Sequence, residues 1–161
     1  MKQSKKQSDP VQKSDDDQRA KVYFRLTRDE DGWPPVEIES LWAKKIANDR
    51  FQLDNIPFYV RGVANGDLVR VKYLQGQAWF ENVAKHSRHF TVRVLISSLK
   101  NVSKVREIFR GLGCQTEQDR IKVLIAIDVP PNVSYADVKS VLERGEAKGD
   151  WEYEEGLAPL A

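Results

Sequence analysis

This sequence has very few of the residues that usually build disulfides, metal sites or cofactor sites. Its 161 residues include one cysteine, one methionine and two histidines. A single cysteine excludes an intramolecular disulfide framework and is typical of a reducing cytosol. No apolar run approaches the roughly 20 residues of a membrane-spanning helix. Glycine-rich phosphate loops and nucleophile elbows are also missing, which favours a cytoplasmic protein without a cofactor, a metal or an enzymatic activity.

The charges nearly cancel, since 26 lysines and arginines face 24 acids for a net charge of +2. Nucleic-acid binders usually show clustered basicity, so tight nucleic-acid binding is not expected. The first twenty residues are almost entirely polar or charged. Such a segment cannot bury enough apolar surface to offset its ordering entropy, so residues 1–20 are predicted to be a disordered tail. They contain no apolar segment of the kind that marks a secretory signal.

Residues 21–86 contain five short segments with the alternation of half-buried strands, separated by glycine and proline turns. The last two segments predict a hairpin around Gln75-Gly76. In the second segment, a change of phase at residues 40–42 suggests a bulge. Five short strands without a helix predict an SH3-like β-barrel. The expected facing of the second segment is Val36 and Ile38 inward and Glu37 and Glu39 outward.

Residues 87–161 change to a β-α-β-β-α-β order, which is the ferredoxin-like arrangement. Gly111 and Gly113 are expected to end the first helix, and Ser134 to cap the second. A long strand is predicted over residues 121–129. The core of this α+β unit is expected to contain Phe90, Val92, Ile108, Ile125 and Leu142.

Several stretches resemble an uncharacterised bacterial family of small cytosolic proteins, known only as a domain of unknown function. The most specific are Asp-Gly-Trp-Pro-Pro-Val-Glu at 31–37 and Leu-Asp-Asn-Ile-Pro-Phe at 53–58. Further matches are Gly66-Asp67, residues 87–94 and residues 151–156. The resemblance covers roughly residues 22–156 and leaves out the tail. It implies a family without an activity, so it transfers no catalytic residues.

The acidic loop before the two prolines is the first candidate site. Asp29, Glu30 and Asp31 are adjacent and lack the alternating spacing of a calcium loop, so a solvated acidic turn is favoured over a cation site. Trp33 beside Pro34-Pro35 has two interpretations. It is either a stiff recognition anchor, since tryptophan is enriched in binding hot spots, or a plug for one end of the barrel.

The histidines and the cysteine are weaker candidates. His86 and His89 flank the start of a strand, where residues three apart point to opposite faces, so a shared metal is not expected. Cys114 follows a helix C-terminus, which offers no positive dipole to activate a thiol, and it is interpreted as a buried small hydrophobe. The sheet face that carries Arg93 and Lys122 has no aromatic on its two central strands and is expected to pack against the barrel or a partner.

The last predicted strand has an acidic edge, which is another candidate site. Glu152 and Glu154 alternate with aromatic residues on the last predicted strand, a pattern that either binds a basic partner or protects an edge. We therefore expect a non-catalytic macromolecule-binding protein, of the immunity or adaptor type, with a protein partner. Two alternatives are a nucleic-acid-associated module and a small enzyme with a site between the halves that uses Asp31, Asp54 or Arg93.

Overall fold

A computed structural model describes residues 18–160, and in this part of the chain nine strands and two helices form an α+β fold. The first five strands close into a barrel in the order β1-β2-β3-β4-β5. Closure is made by a short parallel pairing of β1 with β5, at Val22 with Ala78 and Tyr23 with Trp79. The barrel strands are β1 (Arg19–Arg25), β2 (Ile38–Ala47), β3 (Arg50–Leu53), β4 (Leu68–Leu74) and β5 (Gln77–Lys85).

The remaining strands form a separate antiparallel sheet in the order β7-β8-β6-β9. A short 3-10 turn (Leu99–Asn101) leads into α1, and Ser134 caps α2 by accepting a hydrogen bond from the Asp137 amide. None of the helices in the described residues is long and apolar enough to cross a membrane. The bounds are β6 (Phe90–Ile96), α1 (Val102–Gly111), β7 (Gln115–Gln118), β8 (Leu124–Val129), α2 (Tyr135–Ala147) and β9 (Trp151–Leu157).

Each sheet has its own hydrophobic core. The barrel is filled by inward residues such as Phe24, Leu41 and Phe51, which are at most 2% exposed. The second core lies between the four-stranded sheet and the two helices, and Phe109, Ile125 and Leu142 are fully buried there. Most of the predicted alternation is therefore confirmed, including the hairpin, whose Gln75 and Gly76 both adopt positive φ.

The expected facing of the second segment is confirmed for the exposed Glu37 and wrong for Val36, Ile38 and Glu39. Val36 and Ile38 are 37% and 45% exposed, whereas Glu39 is only 8% exposed. Glu39 lies in phase with the buried Leu41 and Ala43, so the strand turns its acid inward without a change of phase at residues 40–42. The register shift in β2 comes later, between Lys45 and Ala47. Three backbone amides stabilise the inward carboxylate, as described below.

Three further expectations need correction. Ile108 is 37% exposed and lies at the rim of the second core, because its position on α1 faces the groove beside α2. The predicted strand over residues 121–129 begins only at Leu124, since the Leu124 amide closes a tight turn onto the Ile121 carbonyl. The first strand begins at Arg19, so Arg19 and Ala20 belong to the barrel. The predicted disorder of residues 1–17 falls outside the described residues.

Candidate functional site

The acidic Trp-Pro-Pro loop is closed on itself by hydrogen bonds. The Trp33 amide donates to Asp29 Oδ1 at 2.8 Å, and the Asp29 amide donates to the Trp33 carbonyl at 2.7 Å. Gly32 takes a φ of 80° inside the turn, a conformation that glycine adopts without strain. Pro34 is buried, and the Trp33–Pro34 peptide is cis. The loop therefore presents Trp33 from a well-defined backbone.

The Trp33 ring is partly exposed. It keeps 37% of its accessible surface, and its edge meets Tyr59 at a centroid distance of 5.7 Å. The ring separates two shallow depressions of about 340 and 530 Å³. Glu154 contributes to both depressions, and Arg93 and Glu152 line the smaller one. The fold thus gathers Asp29, Trp33 and three residues of the second sheet on one surface.

Arg93 organises the floor of this surface. Its side chain is 4% exposed, and Nη1 donates to Glu154 Oε1 at 3.2 Å while Nη2 donates to the Val60 carbonyl. Arg61 meets the same Glu154 oxygen at 2.8 Å. Burial lowers the pKa of the Arg93 guanidinium, and the Glu154 carboxylate opposes that shift. Arg93 thus joins β6 to the barrel loop that contains Val60.

Close approach to Arg93 requires glycine at position 156. A Cβ built there would lie 2.3 Å from Nη1 and 2.7 Å from Cζ of the guanidinium. The Gly156 carbonyl also accepts a hydrogen bond from the Gly62 amide at 2.9 Å. The barrel loop therefore covers the part of this sheet face around Arg93, one of the two outcomes expected from the sequence, whereas Leu95 on the same face stays 39% exposed. Thr91 of the same strand also contacts the barrel loop, since its hydroxyl donates to the Val63 carbonyl at 3.3 Å.

Glu39 is the buried acid that sequence reasoning missed. Its Oε1 accepts the Phe58 amide at 2.6 Å, and its Oε2 accepts the amides of Tyr59 and Val60 at 3.0 and 2.7 Å. A carboxylate with three charge-assisted bonds is a strong clamp. It holds the segment that supports both Trp33, through Tyr59, and Arg93, through Val60. The available signal was that Glu39 shares the alternation phase of Leu41 and Ala43.

Tyr59 is also tied to the connection between β7 and β8. Its hydroxyl donates to an Asp119 carboxylate oxygen. Burial and the neighbouring Asp119 charge raise the pKa of the Tyr59 phenol, so the ring keeps its proton over the physiological range. Tyr59 is therefore a neutral hydrogen-bond donor that braces the Trp33 ring.

A second polar cluster lies where the barrel chain enters β6. The fully buried Asp67 accepts the Ser87 amide at 2.7 Å and the Ala64 amide at 3.0 Å, and His86 Nδ1 lies 3.2 Å from its Oδ2. His89 Nδ1 lies 2.9 Å from Oδ1 of the buried Asp128 in β8. The two histidines therefore have separate aspartate partners, and the described residues contain no group of three or more potential metal ligands. Each pair lies within one unit, and the two are linked by Asn65 of the barrel half, whose side-chain amide donates to Asp128 Oδ2 at 3.3 Å.

Of the other candidates, Glu30, Asp31 and Glu152 lie beside Trp33, whereas Asp54 and Cys114 lie elsewhere. Asp54 pairs with Arg19 at 3.7 Å on the exposed end of β1, so the structure does not group it with Arg93. Glu30, Asp31 and Glu152 are exposed to solvent. Cys114 is 5% exposed, and burial raises the pKa of its thiol to about 11. The thiol is then protonated near neutral pH, which suits a packed residue better than a nucleophile.

Barrel and sheet together, joined by buried polar contacts, define an α+β protein without an obvious reaction centre in its described residues. The chain belongs to the family described as a domain of unknown function (DUF4265), whose profile matches residues 39–153. The matched range includes the stretch at 53–58 and begins after the stretch at 31–37.

The fold is similar to a solved structure described as a "novel crystal structure of a hypothetical protein from Neisseria gonorrhoeae". The TM-score is 0.68, and the likeness covers 89% of this chain and 97% of that chain at 16% sequence identity. At this identity the likeness shows the fold alone. No curated protein matches this chain.

Proposed function

We propose that this chain is a non-catalytic protein-binding protein, of the immunity or adaptor type, and that it binds a basic partner through the surface around Trp33. The observation that carries the proposal is a 37% exposed indole on a hydrogen-bonded loop between two depressions. Tryptophan anchors of this kind dominate the energy of many interfaces.

Rigidity supports the proposal. Ordering a loop and its side chains on binding costs free energy, and a loop that is already closed avoids much of that cost. Asp29 closes the turn from one side, and Tyr59 supports the ring from the other. Because Tyr59 itself is held by Glu39 and Asp119, the anchor sits on a connected polar framework.

Charge supports a basic partner. Glu30, Asp31 and Glu152 are exposed around the indole, while the Arg61 and Arg93 guanidinium groups share the Glu154 carboxylate. Exposed acids at the rim speed encounter with a basic surface and contribute less to final affinity. Trp33 would then supply the buried contact.

The finer fold assignments belong to the same proposal. We infer an SH3-like barrel over residues 21–86 and a ferredoxin-like unit over residues 87–161, in a bacterial cytoplasmic protein. The antiparallel order β7-β8-β6-β9 supports the second assignment, because it is the strand order that a split βαβ unit produces. Neither assignment implies the function, since both architectures serve many roles.

The test keeps Trp33 and places a photo-crosslinking amino acid at Val36, which is 37% exposed beside the loop, and, as a control, at Leu99, which is 56% exposed on the other unit. We expect one crosslinked protein from source cells at position 36 and none at the control position. Trp33→Ala should abolish co-purification of that protein and lower stability by less than about 2 kcal/mol, since the ring is only partly covered. A loss of about 3–5 kcal/mol would identify Trp33 as a barrel plug instead. Equal crosslinking at both positions would also contradict the proposal.

A further inference from the structure

The barrel strands separate charge in a way that the net charge of the chain hides. Strands β1 to β5 contain nine lysines and arginines, three in β1, two each in β2 and β4, and one each in β3 and β5. They contain only two acids, Glu39 and Glu81, and Glu39 is buried inside the barrel. The other acids of residues 21–86 lie in the connections between strands. The outer wall of the barrel is therefore basic although the chain carries only +2.

Aromatic rings alternate with these cations on the same wall. In the strand register, Lys21 of β1 lies opposite Trp42 of β2, and Tyr23 lies opposite Trp79 of β5. Trp79 in turn lies opposite Lys72 of β4. Four neighbouring strands thus contribute to one surface, which we call the barrel wall.

The cations of the barrel wall lie over the rings. The guanidinium of Arg19 and the ammonium of Lys21 are each 5.1 Å from the centre of the Trp42 ring. Arg25 is 4.4 Å from the Trp79 ring, which also meets Tyr23 at 5.5 Å. Trp42 still exposes 42% of its surface. Each tryptophan therefore combines a π-face with an adjacent positive charge.

We propose that the barrel wall is a binding surface for single-stranded nucleic acid, with Trp42 and Trp79 as stacking platforms and Arg19, Lys21, Arg25 and Lys72 as phosphate ligands. Proteins that bind single strands without sequence preference combine these two elements. By ordinary strand spacings the two tryptophans lie about 12 Å apart, a distance of about two or three nucleotides. A duplex would hide its base faces from these rings.

The two tryptophans favour a single strand over an acidic protein. An acidic protein needs only the cations and would gain little from two tryptophans already engaged by them, whereas a base can stack on both a ring and a guanidinium plane. The sheet face that carries Arg93 offers no stacking aromatic from its two central strands, and the barrel loop covers Thr91 and Arg93 there. The aromatic and basic groups are instead on the outside of the barrel, at a surface separate from the Trp33 loop.

The test measures fluorescence anisotropy of labelled 20-nucleotide oligo(U) and oligo(dT) with the full chain, at salt concentrations from 50 to 200 mM. With about four phosphate contacts, binding should weaken roughly 20- to 50-fold over this range. Lys21→Glu/Lys72→Glu should weaken binding more than tenfold and flatten the salt dependence. Lys104→Glu/Lys148→Glu changes the net charge equally on exposed residues of the other unit and should change affinity less than about twofold.

The stacking contribution needs its own variant. Trp42→Leu should weaken binding about fivefold or more without changing the salt dependence, because it removes a π-face and no charge. Trp33→Ala should leave oligonucleotide binding unchanged, which separates this surface from the protein-binding one. Thermal unfolding of each variant verifies folding. Absent binding at 50 mM salt, equal losses for both double variants, or equally tight binding of poly-glutamate or of a duplex would overturn the proposal.

Discussion

Replacing Glu39 by alanine should cost much more stability than replacing any exposed acid of the chain. The substitution removes a carboxylate that accepts the amides of Phe58, Tyr59 and Val60 within 3.0 Å. The Val60 amide is in a buried environment, so it would lose its partner without access to water. Phe58 and Tyr59 are half-buried, and water can partly replace the lost bonds there.

The magnitude follows from these three donors. A buried donor left without a partner costs about 1–3 kcal/mol, and the two half-buried donors cost a part of that each. The sum is about 3–5 kcal/mol for Glu39→Ala. In Glu39→Gln, the amide oxygen can take the place of Oε2 and keep the bonds from Tyr59 and Val60. The NH₂ group of the glutamine then faces the half-buried Phe58 amide, so that two donors meet. That change should cost about 1–2 kcal/mol.

Urea unfolding followed by circular dichroism measures both variants. With a slope of about 2 kcal/mol per molar urea, the midpoint of Glu39→Ala should fall by about 1.5–2.5 M. Glu37→Ala is the matched control, since Glu37 is exposed two residues away and should cost less than about 0.5 kcal/mol. If Glu39→Ala shifts the midpoint no more than Glu37→Ala, the clamp described here does not stabilise the fold.

Three further changes test the rest of the structure. Ile125→Ala in the second core should cost about 2–5 kcal/mol, whereas Ile108→Ala at its exposed rim should cost less than about 1 kcal/mol; equal costs would contradict the burial assigned to them. Removing residues 1–17 should leave the thermal midpoint within about 5 °C, and a larger drop would mean that the tail docks. Burial raises the pKa of the Cys114 thiol to about 11, so folding favours the protonated form. Cys114 should therefore react with iodoacetamide at pH 8 far more slowly in the native protein than in denaturant. Similar rates would refute its burial.

Apolar alternation was sufficient to place most strands, although at residues 121–123 the alternating segment forms a turn instead. Val92, Val94 and Ile96 of β6 and the turn at Gln75-Gly76 lie as the sequence predicts. The inward turn of Glu39 was not predictable in this way, because its compensating amides are 19–21 residues further along the chain. A buried acid becomes acceptable only once tertiary structure supplies its donors.

The candidate site was predictable in its residues and not in its contacts. The sequence singled out Trp33, Arg93 and Glu154 separately, from loop chemistry and strand alternation. Their proximity depends on how the barrel and the second sheet pack, through Arg93 with the Val60 carbonyl and Tyr59 with Asp119. These contacts join residues about 30 to 60 positions apart, and no local pattern encodes such pairings.

The position of Asp67 has a consequence for how this chain can be divided or recombined. His86 and Ser87 stand on either side of the border between the two units, and both bind the same buried aspartate. Cleavage between them would leave the Asp67 carboxylate of one fragment without the amide that the other fragment provides. A fragment limited to residues 39–153 would also lose β1 and open the barrel. Fusions and insertions should therefore be placed at exposed turns such as Gln75-Gly76, and the two units should be expressed and engineered as one piece.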